Sequence, residues 1–147
     1  MTRPFLPLLR RSKGATVNNL SLAALAALPV IPAYSISKAA AFNMTQSLRT
    51  LLAGQGVTVH AVVLGPIDTD MNRGFETPKA SPESAAQRIF DGLEKGEDDI
   101  FPDAASLVHR RGLAHWRGQG ARGQGNAGMR PMKTRSHCNL YCDPKLK

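Results

Sequence analysis

Along the first two thirds of the chain, hydrophobic and polar residues follow strand-like and helix-like spacings in turn. Residues 15–20 form a short run typical of a strand, which follows the turn signal at 12–14. From 33 to 53 there is no Gly or Pro. The apolar residues of that stretch recur at helical spacing: Ile36, Ala39, Ala40, Met44, Leu48, Leu51 and Leu52. This pattern predicts a long helix that Gly54 and Gly56 end.

A second strand and a second long helix follow in the pattern. Residues 57–63 are rich in β-branched side chains, which is typical of a strand buried on both faces, and Gly65-Pro66 stops the run. Ser81-Pro82-Glu83 predicts a helix start, with a hydroxyl N-cap and Pro at the first helical position, and the helix is expected to end near Gly96. Residues 99–102 are predicted to be a last short strand. Strands that alternate with helices indicate a parallel α/β sheet.

The ends of the chain differ from this central part. At the start, Phe5, Leu6, Leu8 and Leu9 have the spacing of the end of an amphipathic helix. From about 109 both periodicities stop, and the net charge of +8 belongs entirely to this tail, because 1–109 contains ten Lys/Arg and ten Asp/Glu. Residues 109–147 are Gly/Arg-rich, so we expect a disordered basic tail. The abrupt change also suggests that the tail is out-of-frame sequence.

Composition excludes several classes of function. No apolar run reaches the ~18–20 residues of a membrane span, and we identify no signal peptide. Two cysteines make no disulfide framework, so a cytoplasmic location is expected. His137, Cys138 and Cys142 offer three ligands where structural zinc usually has four, so no metal site is predicted. The Arg/Gly stretch has Trp116 as its single aromatic, so a solvated tail is favoured over nucleic-acid binding.

Three groups of candidate catalytic or ligand-binding residues follow predicted strands or begin a predicted helix. Tyr34 and Lys38 lie four residues apart on one helix face. A phenol is a poor acid or base at neutral pH, and a neighbouring ammonium favours its phenolate form. Ser21 and the turn at 64–69 follow the carboxyl ends of two strands, where ligands bind in open α/β sheets. The alternatives are an ordinary first-turn tyrosine with a solvated lysine, and a loop serine.

For three further residues we weigh a structural role beside the functional one. Asp68 and Thr69 are good helix N-caps whatever else they do. His60 lies inside a strand run, so we expect a packed core histidine rather than a catalyst.

Residues 34–38, Tyr-Ser-Ile-Ser-Lys, match the Tyr-x-x-x-Lys motif of the short-chain dehydrogenase/reductase family, and Ser21, thirteen residues earlier, falls at the family's catalytic serine. Residues 64–69, Leu-Gly-Pro-Ile-Asp-Thr, resemble the family's Pro-Gly-x-x-x-Thr turn. Roughly residues 1–105 are similar to the family. The resemblance implies a truncated Rossmann-like doubly wound parallel sheet, present as its last three strands, and NAD(P)-dependent alcohol oxidation or carbonyl reduction.

The resemblance also implies a role for each of these residues. Tyr34 would be the general acid/base that exchanges a proton with the small-molecule alcohol or carbonyl substrate. Lys38 would assist Tyr34 and hydrogen-bond the nicotinamide ribose, and Ser21 would orient the substrate oxygen. Tyr34 and Lys38 would also bind the cofactor, NAD or NADP, together with the turn that contacts its nicotinamide: Gly65, Pro66, Ile67 and Thr69.

The sequence departs from the family in its phosphate-binding residues. No Gly-rich loop lies between a strand and a helix, and the family's Asn-Asn-Ala-Gly segment is absent. We therefore expect residues 1–108 to be the carboxy-terminal part of such a domain, which self-associates, binds the cofactor poorly and is inactive by itself. The alternative is a non-catalytic remnant or interaction module with a basic tail.

Overall fold

The computed structural model describes residues 2–110, which form three parallel strands and their covering helices. The strands lie in the order β1 (Ala15–Ser21), β2 (Thr58–Leu64) and β3 (Asp99–Ile100). Three helices alternate with them: α1 (Thr2–Ser12), α2 (Pro32–Leu52) and α3 (Pro82–Glu94). Short 3₁₀ turns occupy Leu22–Ala24, Ala53–Gln55 and Asp70–Asn72, and residues 104–110 are helical. The predicted α/β class with three parallel strands is confirmed.

The helix ends form where the sequence predicts them. The Ser81 hydroxyl accepts a hydrogen bond from the Ser84 N–H at 3.1 Å, and Pro82 is the first residue of α3. Gly96, just past α3, has a φ of 66°, which favours glycine. Thr69 is the N-cap residue of the 3₁₀ turn Asp70–Asn72, but its side chain makes no capping hydrogen bond, so the predicted cap is realised only in the backbone.

Strand β2 is the centre of the core. Five consecutive residues of β2, from Val59 to Val63, are buried, which confirms the prediction of a strand covered on both faces. Successive side chains point to opposite faces of a strand, so Ala61 and Val63 face one side and Val62 the other. The first face packs against α2 in one cluster: Leu20, Phe42, Ala61, Val63 and Phe101. A second cluster brings α1 to the same sheet: Leu52, Val57 and Val59, with Leu6, Leu9 and Leu48.

Polar contacts fix the long helix α2 across the sheet. The Asn18 side-chain amide donates to the Thr45 hydroxyl at 2.9 Å, and Thr45 is fully buried. Near the end of α2, Arg49 donates to the Val59 carbonyl at 2.8 Å and pairs with the Asp99 carboxylate at 3.0 Å. Because α2 is held at its middle and its end, its first turns have a fixed place over the carboxyl ends of the strands.

His60 is buried in β2, with its Nδ1 2.7 Å from the Glu97 carbonyl oxygen, which confirms the prediction of a packed histidine. Within residues 2–110 no helix is long and apolar enough to cross a membrane. Most of the predicted tail, including His137, Cys138 and Cys142, lies outside the described residues.

Candidate active site

The carboxyl ends of β1 and β2 meet at one edge of the sheet. Ser21, the last residue of β1, pairs in register with Leu64, the last residue of β2, and Gly65 follows directly. Parallel strands of similar length therefore bring the Ser21 hydroxyl and the turn at 64–69 to the same edge, as the sequence predicts.

Tyr34 and Lys38 reach this edge from the first two turns of α2. The Lys38 ammonium lies 5.5 Å from the centre of the Tyr34 ring. It also donates a hydrogen bond of 3.4 Å to the carbonyl of Asn19, two residues before Ser21. Both side chains are partly buried, and the Tyr34 hydroxyl has no hydrogen-bond partner among the described residues. The lysine thus bridges the tyrosine and the end of β1, and the phenol oxygen is left for an external group.

Contacts on both sides of Tyr34 set the start of α2. Ser35, which is buried, accepts a hydrogen bond from the Leu28 N–H at 3.0 Å, and this bond ties the preceding loop to the helix. Ser37 donates to the Tyr34 carbonyl at 2.7 Å. The backbone that carries Tyr34 is therefore fixed by local bonds as well as by the distant contacts of α2.

Ser21 has a local structural role in addition to its place at the edge. Its hydroxyl oxygen accepts the N–H of Ala23 at 3.2 Å and so caps the 3₁₀ turn Leu22–Ala24. This bond fixes the oxygen and leaves the hydroxyl proton to be donated. Ser21 therefore has the structural role of a loop serine, and it also lies at the edge of the sheet that forms the candidate site.

The turn after β2 presents free backbone donors, and the Ile67 N–H lies in its middle. The Ile67 carbonyl accepts from the Asn72 side-chain amide at 2.8 Å, and the chain on either side of Ile67 pairs with Ala80. The Ile67 N–H has no partner within residues 2–110. The turn therefore offers an unpartnered backbone N–H at the edge where ligands bind in parallel α/β sheets. The exposed Thr69 hydroxyl lies 3.5 Å from the Ile67 carbonyl.

Asp103 is a member of this region that sequence reasoning missed. It lies just after β3 and is 4% exposed. One carboxylate oxygen accepts the Gly65 N–H at 2.8 Å, and the other accepts the Ser106 N–H at 2.9 Å. The signal was Asp-x-x-Ser after a buried apolar run, which is a helix N-cap pattern. Nothing in the sequence links that cap to Gly65, because the contact spans 38 residues.

Metal binding receives no support from the described part of the chain. Residues 2–110 contain no group of three or more His, Cys, Asp or Glu side chains that are placed to hold an ion. A cation lies beside the phenol, because the Lys38 ammonium is 5.5 Å from the centre of the Tyr34 ring. The arrangement therefore offers a hydroxyl donor, a phenol with a cation beside it, and a backbone N–H, which suits proton exchange with a substrate oxygen.

Comparison with known proteins gives one consistent family. A family model described as short chain dehydrogenase matches residues 1–80, more than half of the chain. The chain is 39% identical over 120 residues to 2-(R)-hydroxypropyl-CoM dehydrogenase of Xanthobacter autotrophicus, covering 72% of this chain and 48% of the relative. It is 36% identical over 83 residues to a protein of the same organism called inactive 2-(S)-hydroxypropyl-CoM dehydrogenase 2, covering 56% of this chain and 36% of the relative.

A solved structure agrees with these relatives. It is a short chain dehydrogenase from Burkholderia cenocepacia J2315 in complex with NADP, which superposes with a TM-score of 0.73 at 38% identity. The match covers 85% of this chain and 55% of that chain. The chain thus spans about half or less of the length of these relatives, from 36% to 55%.

Proposed function

This chain belongs to the short-chain dehydrogenase/reductase family, and we propose that it supplies the acid/base and nicotinamide-facing side of an oxidoreductase site. The reaction is the oxidation of a small-molecule alcohol or the reduction of a carbonyl with NAD or NADP. The observation that carries the proposal is the Lys38 ammonium, which lies 5.5 Å from the centre of the Tyr34 ring and is bonded to β1 beside Ser21. The NADP complex of the Burkholderia relative supports this class of cofactor.

Tyr34 moves the proton in this proposal. Its hydroxyl, which has no partner within residues 2–110, donates its proton to the substrate oxygen during reduction and takes one from the alcohol during oxidation. The Lys38 ammonium stabilises the negative charge that develops on the phenol oxygen. A bound dinucleotide supplies or accepts the hydride.

Ser21 and the turn after β2 orient the reacting groups. The Ser21 oxygen is fixed by the Ala23 N–H, so the hydroxyl proton is directed to the substrate oxygen. The Ile67 N–H would donate to the carboxamide oxygen of a bound nicotinamide, and the Thr69 hydroxyl would contact the same group. Gly65 and Pro66 would set the path of this turn beside the cofactor.

The experiment that tests the proposal uses the 147-residue chain, isotopically labelled, titrated with reduced nicotinamide mononucleotide and followed by NMR. We expect millimolar binding that shifts the backbone amides of Ile67 and Lys38. Adenosine monophosphate should not shift them. Lys38→Met should weaken the effect, whereas Lys95→Met, an exposed change at the end of α3, should not. A dispersed spectrum in which neither amide responds to the nicotinamide ligand would overturn the proposal.

A second function has support from the exposed surfaces. Among the described residues β1 pairs only with β2, so its other edge carries backbone groups that can pair with another chain. The outward side of α2 exposes three large apolar side chains, Ile36, Met44 and Leu51. Exposed apolar surface and an open strand edge each favour self-association or an interaction role. Sedimentation of the chain over a range of concentrations tests this, and a monomer at all concentrations would contradict it.

A further inference from the structure

The Asp103 carboxylate accepts two hydrogen bonds from backbone N–H groups, whereas a helix cap requires only one. The helical segment 104–110 needs one side-chain oxygen for its cap, and the Ser106 N–H occupies Oδ1 at 2.9 Å. The second oxygen, Oδ2, accepts the Gly65 N–H at 2.8 Å. Asp103 has no salt-bridge partner in the described part of the chain, and it is 4% exposed. A buried carboxylate is costly unless it is hydrogen-bonded, so both bonds matter to it.

The Gly65 backbone lies directly against this carboxylate. A Cβ atom added at Gly65 would be 2.4 Å from Asp103 Oδ1 and 3.0 Å from the Ala105 Cβ. Only a glycine admits such an approach. The Asp103 carboxylate can therefore accept the Gly65 N–H only because residue 65 has no side chain.

This contact holds one end of the turn that contains Ile67. The other end is held by the Asn72 amide on the Ile67 carbonyl and by the pairing of Asp68 and Pro66 with Ala80. A turn fixed at both ends has a defined direction for the Ile67 N–H, which, like the Thr69 N–H, has no partner within residues 2–110. Without the Asp103 bond, the start of the turn has no side-chain anchor within residues 2–110.

We propose that Asp103 is a positioning residue for the nicotinamide-facing turn, which acts through the Gly65 N–H to direct the Ile67 N–H. The ligand part of this inference rests on the proposed function. The contact itself does not, because it is present in the protein alone.

The test separates capping from positioning with two variants of the full 147-residue chain. Asp103→Ser keeps an oxygen that caps a helix, but its side chain is too short to reach Gly65. Ser106→Ala is the matched control: it removes the Ser106 hydroxyl, which bonds to the Asp103 backbone, and leaves the carboxylate on Gly65. Amide hydrogen exchange without ligand reports the Gly65 N–H directly.

We expect the Gly65 amide to exchange at least about tenfold faster in Asp103→Ser, while the Val62 amide in β2 keeps its rate. In Ser106→Ala the Gly65 rate should stay within about twofold of the parent. Affinity for reduced nicotinamide mononucleotide should fall severalfold in Asp103→Ser and be unchanged in Ser106→Ala. If Asp103→Ser also exposes Val62, the isosteric Asp103→Asn takes its place, because its single carbonyl oxygen cannot accept both the Gly65 and the Ser106 N–H.

A Gly65 amide that stays protected in both Asp103 variants would overturn the proposal and leave Asp103 as a helix cap. Unchanged affinity for the mononucleotide despite a faster Gly65 amide would also overturn it. A faster Gly65 amide in a chain whose parent binds no mononucleotide would instead contradict the proposed function and uphold the structural contact.

Discussion

Replacing Gly65 with alanine puts a methyl group into space that the Asp103 carboxylate fills. The added Cβ would lie 2.4 Å from Oδ1 and 3.2 Å from the carboxyl carbon, so the side chain must rotate away. Rotation breaks or weakens the bonds to the Gly65 and Ser106 N–H groups. A hydrogen bond to a charged group contributes about 1.5–3 kcal/mol, so we expect Gly65→Ala to destabilise the fold by about 2–3 kcal/mol.

Urea denaturation followed by far-UV circular dichroism measures this loss, at one protein concentration so that self-association affects all variants alike. The midpoint should fall by about 1 M or more. Gly54→Ala is the matched control, because its Cβ would meet nothing within 4 Å, and it should be neutral or stabilising by up to about 1 kcal/mol. In an Asp103→Ser background the alanine should destabilise by at least about 1 kcal/mol less. Equal midpoints for Gly65→Ala and Gly54→Ala would refute the steric reasoning.

Three further outcomes are expected. The 147-residue chain should not oxidise NADH or NADPH on a panel of carbonyls, because it has no Gly-rich loop for the pyrophosphate; turnover above the blank would contradict this. Thr45→Val should lower stability by about 1–2 kcal/mol, since it leaves the Asn18 amide unpaired. Thr50→Val, on the exposed side of α2, should not lower it. Equal urea midpoints for the two variants would contradict this expectation. Gly92→Ala should destabilise by about 1 kcal/mol despite its higher helix propensity, because its Cβ would lie 2.9 Å from two Ile100 carbons; a raised melting temperature would contradict it.

The elements of the fold were predictable because each has a local signal. The β-branched run of β2, the apolar spacing of α2 and the Ser81-Pro82 start of α3 are all visible in the sequence, and the observed bounds, Thr58–Leu64 for β2 and Pro32–Leu52 for α2, lie within one residue of those expected. The carboxyl-edge position of Ser21 also follows from sequence, because parallel strands align their ends.

The contacts that support the site were not predictable, because they join distant segments. Lys38 to the Asn19 carbonyl, Asn72 to Ile67 and Asp103 to Gly65 depend on how helices and loops settle on the sheet. The helix cap at Asp103 had a local sequence signal, but the contact of its second carboxylate oxygen with Gly65 had none. The resemblance to the family suggested the roles of Tyr34 and Lys38, and those roles remain proposals.

The most direct test of the central claim is carbonyl reduction by a chimera. Residues 1–110 would follow the part of the Burkholderia relative that precedes its matched segment, so that a dinucleotide-binding half is present. NADPH oxidation would be measured on a panel of ketones, with and without Tyr34→Phe. We expect turnover that falls by about 10²–10⁴-fold in Tyr34→Phe while NADPH still binds. A folded, NADPH-binding chimera without turnover, or one in which Tyr34→Phe is equally active, would contradict the assignment of Tyr34 as the acid/base.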